Sequence, residues 1–329
     1  MPNYGVIDLG SNTIRLCVYE VKDDEKPSFS KKDFRTLLNN KVMAGLASHV
    51  VDDIFTDQGV CHAVDVLAGH AKRLRYFDCK RTDVFATAVL RNCKNSTEAV
   101  AAIEERSGFS ITLLSDQDEA HLGFVGAISD KPIEEGTLVD LGGGSTELIS
   151  IREGIDHNNT SIGQGSLSSF ANFVAGILPD RHEMRTIERA FESRLSELPD
   201  ISHYASHTLY GIGGSVRAAT KLYAEAFGNG NRPDTLTLDD VDAIIDLYHQ
   251  DTNAFAHTAL KAVPDRVHTL LPGCLIIRRL MTEFGSQTLS ICKKGVREGY
   301  LIERMLLSKA TTINGTEESA TRKDTDHVG

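Results

Sequence analysis

Val6-Ile7-Asp8-Leu9-Gly10-Ser11, close to the start of the chain, returns in its middle as Leu138-Val139-Asp140-Leu141-Gly142-Gly143-Gly144-Ser145-Thr146-Glu147. Each copy is an apolar run, then an aspartate, then glycine with small hydroxyl residues. The pattern reads as a buried strand ending in a tight turn. Glycine lets the backbone approach a ligand closely, and successive N–H groups in such a turn form an anion-binding concavity. An aspartate at the strand end can hold a hydrated divalent cation beside the anion. Two copies imply two related domains facing each other over a polyphosphate. One Asp-Leu-Gly turn alone would say little, because Asp and Gly are ordinary turn residues. The Gly-Gly-Gly-Ser-Thr-Glu extension adds weight. So does a third loop, Gly211-Ile212-Gly213-Gly214-Ser215, which follows the apolar run Thr208-Leu209-Tyr210 and leads into a helical pattern from Val216. Strand, glycine turn and helix is an arrangement that binds phosphate at a helix N-terminus.

A chain of 329 residues has room for two domains, as the duplication requires. Its net charge of −11 argues against bulk attraction to nucleic acid or to an anionic membrane. An anionic substrate stays open, because salt screens charges beyond about 8 Å. Arg15, Arg91, Arg217 and Arg266 all lie in or beside motif segments. Cys17, Cys61, Cys79, Cys93, Cys274 and Cys292 form no Cys-x-x-Cys pair and mostly sit in apolar stretches, as thiols of a reducing compartment do. No apolar run approaches the ~18–20 residues of a membrane span. A strand pattern already under way at Tyr4 leaves no room for a leader, so a cytoplasmic location is expected.

Tyr4 to Ile7 and Ile14 to Val21 read as the strands of a hairpin around the first loop, with a hydrophilic turn over 22–33. Val60, Val64, Leu67, Ala71 and Leu74 recur at helical spacing behind Thr56. Val84 to Ala86 and Ile111 to Leu114 read as short strands. Asn95, with Glu98 three residues on, reads as a helix cap, and another helix starts near Gln117. After the second loop come a strand from Glu147 to Ile151 and an amphipathic, charge-rich helix over 183–197 that reads as solvated. A helix from Thr237 carries Val241, Ile244, Ile245 and Tyr248 on one face; Pro272 opens another, and Gly295 to Leu307 is the last. The alternation implies an α/β fold with sheets covered by helices. Beyond Ser308 the chain is polar and aperiodic and reads as a disordered tail.

Four segments stand in the order of motifs known from one family: Asp8-Leu9-Gly10-Ser11-Asn12-Thr13-Ile14-Arg15-Leu16, Ala86-Thr87-Ala88-Val89-Leu90-Arg91, Asp118-Glu119-Ala120, and Asp140 to Glu147. The chain resembles the exopolyphosphatase and guanosine pentaphosphate phosphohydrolase (Ppx/GppA) family. Gly213-Gly214-Ser215 and Gly295-Val296-Arg297-Glu298-Gly299 are similar to its later motifs. The resemblance spans roughly residues 4–307. It implies an architecture shared with actin, Hsp70 and the sugar kinases: two actin-like (ribonuclease H-like) domains with an interdomain phosphate-binding cleft. These would cover 1–124 and 125–307, with the final helix 295–307 free to pack back on the first domain and a tail over 308–329. The length resembles that of the family's short, two-domain members. A homodimer is implied too, as is hydrolysis of inorganic polyphosphate, pppGpp or both.

Phosphoanhydride hydrolysis needs an in-line water, neutralisation of the terminal phosphoryl charge and a fixed hold on the rest of the substrate. Glu119, at the entry to a helix, is the candidate water-activating residue, and the resemblance gives this glutamate the role of general base. The bland reading is a carboxylate favouring the helix N-terminus, worth ~0.3–1 kcal/mol. Asp140 and Glu147 can be brought to one cleft by the turn between them, and hard oxygen ligands beside phosphate suit Mg²⁺. Asp8 completes this metal set from the other domain, or else bonds its own turn amides. Mn²⁺ is the expected substitute, and a monovalent cation is a further option. Gly143, Gly144, Ser145 and Gly214 are expected to present N–H groups to phosphate, with Ser11, Asn12 and Ser215 as further phosphate contacts. Arg15 and Arg91 resemble phosphate-contacting arginines, whose guanidinium forks match phosphate oxygens. Arg297 and Glu298 read as a structural ion pair. The histidines read as solvent or core residues, with nothing to suggest zinc.

Three positions depart from the family pattern. Asp116 stands where glycine is frequent, Ser168 where arginine is usual, and Lys293-Lys294 in a segment typically Ser-Asp or similar. A lost arginine would weaken the grip on a long polyanion, and the added lysines could restore it from elsewhere. Two other readings stay open: an actin-like kinase or ATPase sharing the phosphate loops, and a polyphosphate or nucleotide sensor that closes without turnover.

Overall fold

The computed structural model describes residues 1–228 and 230–308. The first half contains β1 (Asn3–Leu9), β2 (Thr13–Val21), β3 (Phe34–Met43), β4 (Val50–Val51), β5 (Ile54–Phe55), α1 (Asp57–Leu74), β6 (Cys79–Ala86), α2 (Ala88–Arg91), α3 (Ser96–Ser107), β7 (Ile111–Leu113) and α4 (Asp116–Asp130). The second contains β8 (Gly136–Leu141), β9 (Thr146–Arg152), β10 (Ile155–Ile162), α5 (Ser166–Phe173), α6 (Arg181–Ser196), β11 (Thr208–Ile212), α7 (Gly214–Ala226), β12 (Thr235–Thr237), α8 (Leu238–Gln250), α9 (Thr252–Ala262), α10 (Val267–Glu283), β13 (Thr288–Ile291) and α11 (Val296–Tyr300). The chain then continues through the π-helical segment Leu301–Leu307.

The repeated phrase folds into the same hairpin twice. Gly10 N–H donates to Thr13 O at 3.0 Å, and Gly142 N–H donates to Ser145 O at 3.0 Å. The repetition extends to whole sheets. One has the order β3-β2-β1-β6-β7, the other β10-β9-β8-β11-β13-β12. In each, the first three strands form an antiparallel meander and the next two continue parallel; β12 adds an antiparallel edge to the second. Strands β1 and β8 are central and covered on both faces, which is why they read as continuous apolar runs rather than alternating ones.

Helices α1 and α3 pack on one face of the first sheet, sharing a core with Ile7, Leu9, Val84 and Ala86. The second sheet buries its outer face under α6 to α10. Helix α4 serves both. Leu122 joins the core under the first sheet, while Ala120, Phe124 and Ala127 join that of the second. Tyr300, Leu301, Met305 and Leu306 of the final helix pack on the first sheet with Tyr4, Val6 and Phe85. α4 and α11 cross with their backbones almost touching: a side chain on Gly126 would strike the Gly295 carbonyl, and one on Gly299 the Leu122 carbonyl.

Several local expectations change in three dimensions. Asn95 makes no side-chain cap on α3, because its amide is spent on the backbone of Phe55 at 2.8 and 2.9 Å. The helix over 183–197 is not merely solvated. It buries Met184, Ile187, Phe191 and Leu195, spaced by three and four, in the second core. Pro272 lies inside α10 rather than opening it; Leu270, Leu271 and Leu275 are buried on both sides and hold the helix through the missing N–H. The tail expected beyond Ser308 lies outside the described residues. Among the described residues no helix is long and apolar enough to cross a membrane.

A methyl group at the α4–α11 crossing has only backbone to displace, so Gly126→Ala should destabilise the protein by about 1–3 kcal/mol in denaturant unfolding. Gly163→Ala, where nothing lies within 4 Å of the added carbon, should stay within about 0.5 kcal/mol.

Candidate active site

Both hairpin turns, the third glycine loop and the start of α11 line one cleft of about 140 Å³. Its walls carry Asp8, Ser11, Asn12, Arg15, Glu119, Asp140, Gly143, Gly144, Ser145 and Gly214 from among the expected site residues. The two turns meet across it: a side chain on Gly144 would come within 3.1 Å of Ser11 Oγ. The N–H groups of Ser11, Asn12, Gly143 and Gly144 have no backbone partner among the described residues. The carbonyls behind them are occupied. Ser166 N–H donates to Gly142 O at 3.1 Å, and Leu167 and Ser168 N–H both donate to Gly143 O at 2.9 Å. The start of α5 thus holds the second turn by its carbonyl side.

The third loop closes in from below. Gly213 has φ +94°, and a side chain there would lie 2.7 Å from Asp140 Oδ1 and 2.8 Å from Leu141 O, so only glycine fits. Helix α7 then begins at Gly214, against which the Arg266 guanidinium packs. Ser215 is buried and donates to Ser166 Oγ at 2.8 Å, which ties α7 to α5 rather than lining the cleft.

The acidic residues converge from both hairpins and from α4. Asp140 and Glu147 are direct cross-strand partners on β8 and β9, so their side chains share a face; Asp8 stands opposite Arg15 on β1 and β2 in the same way. Glu119 lies in the first turn of α4, whose N-terminus is capped by Ser115 Oγ accepting from Asp118 N–H at 3.0 Å. Carboxylate oxygens of Asp116, Glu119 and Glu147 lie within 4.8 Å of one another. Burial, only partly offset by Arg91 and reinforced by Asp140 and Asp8, raises the Glu119 carboxyl from an ordinary 4.5 to about 7. Burial lifts Asp140 to about 6, against Arg217 and Arg297, with Asp8 adding to the rise. Glu147, 1% exposed, goes well above its ordinary value through burial and then Glu119 and Asp140; the hydroxyl of Ser161 at 3.1 Å works the other way.

Arginines face this cluster. Arg297, read from the sequence as a partner of Glu298, instead donates to Asp8 Oδ2 at 2.8 Å. Glu298 is taken by its own helix, accepting from Gly295 N–H at 3.0 Å, and by Tyr19 Oη at 2.8 Å. Arg91 does not line the cleft. Its guanidinium donates to Glu119 Oε2 and to Leu114 O, both at 2.9 Å, and pairs with Asp116. Arg15 donates to Asn39 Oδ1 at 3.0 Å, while its Nε is buried without a partner. Arg217 and Arg266 have no ion-pair partner among the described residues. Burial, with Arg297 and Arg15 close by, lowers the Arg217 guanidinium to about 10.

Sequence reasoning placed Arg217 and Arg266 near the motifs without assigning them a role, and missed Ser166, Thr87 and Arg297 as cleft-lining residues. Arg217 was findable, two residues beyond Ser215 on the first turn of α7. Ser168 hydroxyl accepts from Gly165 N–H at 2.9 Å and donates to Gly144 O at 3.2 Å, bracing the second turn. The lysines do not replace an arginine in the cleft: Lys293 pairs with Asp234 at 3.2 Å, and Lys294 lies over the Phe34 ring at 5.0 Å.

Two sheets of one topology around a glycine-lined, arginine-rich cleft define an α/β protein built of two like halves. The sequence profile of the Ppx/GppA phosphatase family matches residues 25–308, and the chain belongs to that family. Exopolyphosphatase 1 of Mycobacterium tuberculosis is 23% identical over 342 residues, covering 99% of this chain and 94% of its own length. The guanosine-5'-triphosphate,3'-diphosphate pyrophosphatase of Vibrio vulnificus is 28% identical over 228 residues, 67% of this chain and 44% of that protein. Among solved structures, an exopolyphosphatase from Cytophaga hutchinsonii gives a TM-score of 0.78 at 18% identity, covering 95% of this chain and 98% of that one. The Aquifex aeolicus family member gives 0.73 at 21% identity, covering 95% and 99%.

Because Glu119, Asp140 and Glu147 hold protons more tightly folded than unfolded, the native state binds more protons between about pH 4 and pH 7, and stability falls as pH rises through that window. In chelator, the protein should therefore melt at a higher temperature near pH 5.5 than near pH 7.5. Asp140→Asn with Glu147→Gln should flatten that difference in a calorimetric series.

Proposed function

We propose that the chain hydrolyses terminal phosphoanhydride bonds of inorganic polyphosphate, of the 5'-triphosphate of pppGpp, or of both. The observation that carries this reading is the place of Glu119: a carboxyl with proton affinity near neutrality, at one wall of a cleft whose other walls offer free amides and unpaired guanidinium groups. A base is most effective when its pKa lies near the working pH. The names of the relatives, exopolyphosphatase and guanosine-5'-triphosphate,3'-diphosphate pyrophosphatase, support the same chemistry.

In this reading the amides of Ser11, Asn12, Gly143, Gly144 and Gly214 hold the phosphate oxygens, with the hydroxyls of Ser11 and Ser145. Arg15, Arg217 and Arg266 neutralise the rest of the polyanion. Arg91 fixes Glu119 through Oε2, which leaves Oε1 for a water. The water oxygen bonds to the terminal phosphorus, its proton passes to Glu119, and the bridging P–O bond breaks with its electron pair on the remaining chain. Units 1–124 and 125–307 close on the substrate about α4 and α11, which join the two sheets.

The donor set fits a hard divalent cation. Asp140 and Glu147 are cross-strand neighbours, oxygen-only and without a cationic hydrogen-bond partner among the described residues; the acids whose oxygens lie within 4.8 Å of one another are Asp116, Glu119 and Glu147, the first two of them held by Arg91. Glu147 and Asp140 would hold Mg²⁺, whereas Asp8, expected to complete the set, is paired with Arg297. When bound, it supplies charge neutralisation at the terminal phosphoryl oxygens.

Phosphate release from short and long polyphosphate, pppGpp and ATP tests the proposal. Polyphosphate or pppGpp should be turned over, and Glu119→Gln should lower kcat by about 10²–10⁴. Because Glu119 must be ionised to accept the proton, kcat/KM should fall as pH drops below its apparent pKa. Turnover of ATP alone would instead indicate the kinase or ATPase reading.

A further inference from the structure

Beside the cleft lies a second pocket of about 450 Å³, and it shares Arg15, Gly214, Arg217 and Arg266 with the cleft. Its remaining wall brings Lys41 from β3, Lys221 from α7 and Arg232 from the loop after α7. Six cations thus line one pocket, with Asp265 as the acid among its lining residues. Asp265 is already committed, since it forms an ion pair with Lys41 that ties β3 of the first sheet to the 264–266 turn before α10. Lys221 and Arg232 have no ion-pair partner among the described residues.

This arrangement is costly without an anion. Arg217 and Lys221 stand one helical turn apart on α7, a like-charge spacing that weakens a helix. Arg217 also lies close to Arg15 and Arg297, and each raises the cost of its charge. The chain as a whole is acidic, at −11, so a pocket with this excess of positive charge is a local departure from its surface. Such a pocket suits a second cluster of phosphate oxygens on the molecule whose terminal phosphate occupies the cleft.

We propose that this pocket is a distal anion subsite, in which Lys221, Arg232 and Lys41 hold phosphate groups remote from the bond being cleaved. It rests on the functional reading above, because it presumes a phosphate chain in the cleft. Two sources share the chemistry: the continuation of a linear polyphosphate, and the 3'-diphosphate of pppGpp. The Lys41–Asp265 pair sets the strength of the subsite, because Asp265 competes with the ligand for Lys41.

Equilibrium binding to the full chain carrying Glu119→Gln separates the possibilities, because it requires no turnover. The probes are tripolyphosphate against a linear chain of about eight phosphates, and GTP against pppGpp. The added Lys221→Ala/Arg232→Ala pair should reduce the preference for the longer partner in at least one comparison by about tenfold or more. Loss in the polyphosphate comparison assigns the subsite to the chain; loss in the nucleotide comparison assigns it to the 3'-diphosphate. Asp265→Asn, which frees Lys41 without removing a cation, should increase the same preference several-fold. Unchanged ratios in both comparisons would overturn the proposal. Phosphate release by protein with Glu119 intact reports separately on the hydrolase reading. Length discrimination without turnover would keep the subsite and remove the enzyme.

Discussion

Like-charge crowding at the cleft is the constraint on which the rest of this structure depends. Asp8, Glu119, Asp140 and Glu147 converge from two hairpins and one helix, and burial together with mutual repulsion pushes three of them toward protonation. Facing them are guanidinium groups, of which Arg91 and Arg297 are paired across the site while Arg217 and Arg266 are not. Separating such groups into opposite walls gives the cleft an acidic side and a cationic side. Burial and the same crowding raise the Glu119 carboxyl to about 7, the property on which its proposed role as base rests.

Holding these groups together needs stiff supports, and the fold provides them through close backbone approach. α4 presents Glu119 at its first turn and lies between the two sheets, contributing apolar side chains to both. It can come so near α11 because Gly126 and Gly299 leave nothing between the helices. That contact sets Arg297, at the start of α11, against Asp8 at the end of β1. On the other side, α5 takes up the carbonyls of Gly142 and Gly143 and so leaves the amides of the second turn for a ligand.

Much of this was legible in the sequence because it is local. The repeated Asp-Leu-Gly phrase specifies a strand and the turn that ends it, and both hairpins follow with the same closing hydrogen bond. The third loop was equally plain, as strand, glycines and helix. What the sequence did not reveal were partners chosen across the fold. Arg297 stands next to Glu298 in the chain, yet α-helical geometry sends adjacent residues to different faces, and Asp8 from β1 becomes its partner. Pro272 looked like a helix start because its missing N–H is harmless there, whereas burial of α10 on both sides outweighs the lost bond. α6 was legible as amphipathic, but its charges made it read as solvated, whereas its apolar stripe of four residues is buried in the second core. Ser168, read as a lost arginine, braces the second turn instead.

The proposed attack of water on the terminal phosphorus differs from transfer to a sugar or a protein acceptor, and the difference can be read in the product. Hydrolysis of a defined short polyphosphate and of pppGpp in ¹⁸O-labelled water, with the products resolved by mass, tests this directly. The account predicts a single ¹⁸O in the released orthophosphate and none in the shortened product, since the proposed mechanism has Glu119 deliver water to the terminal phosphorus. Label in the shortened product, or no orthophosphate from either substrate, would contradict it.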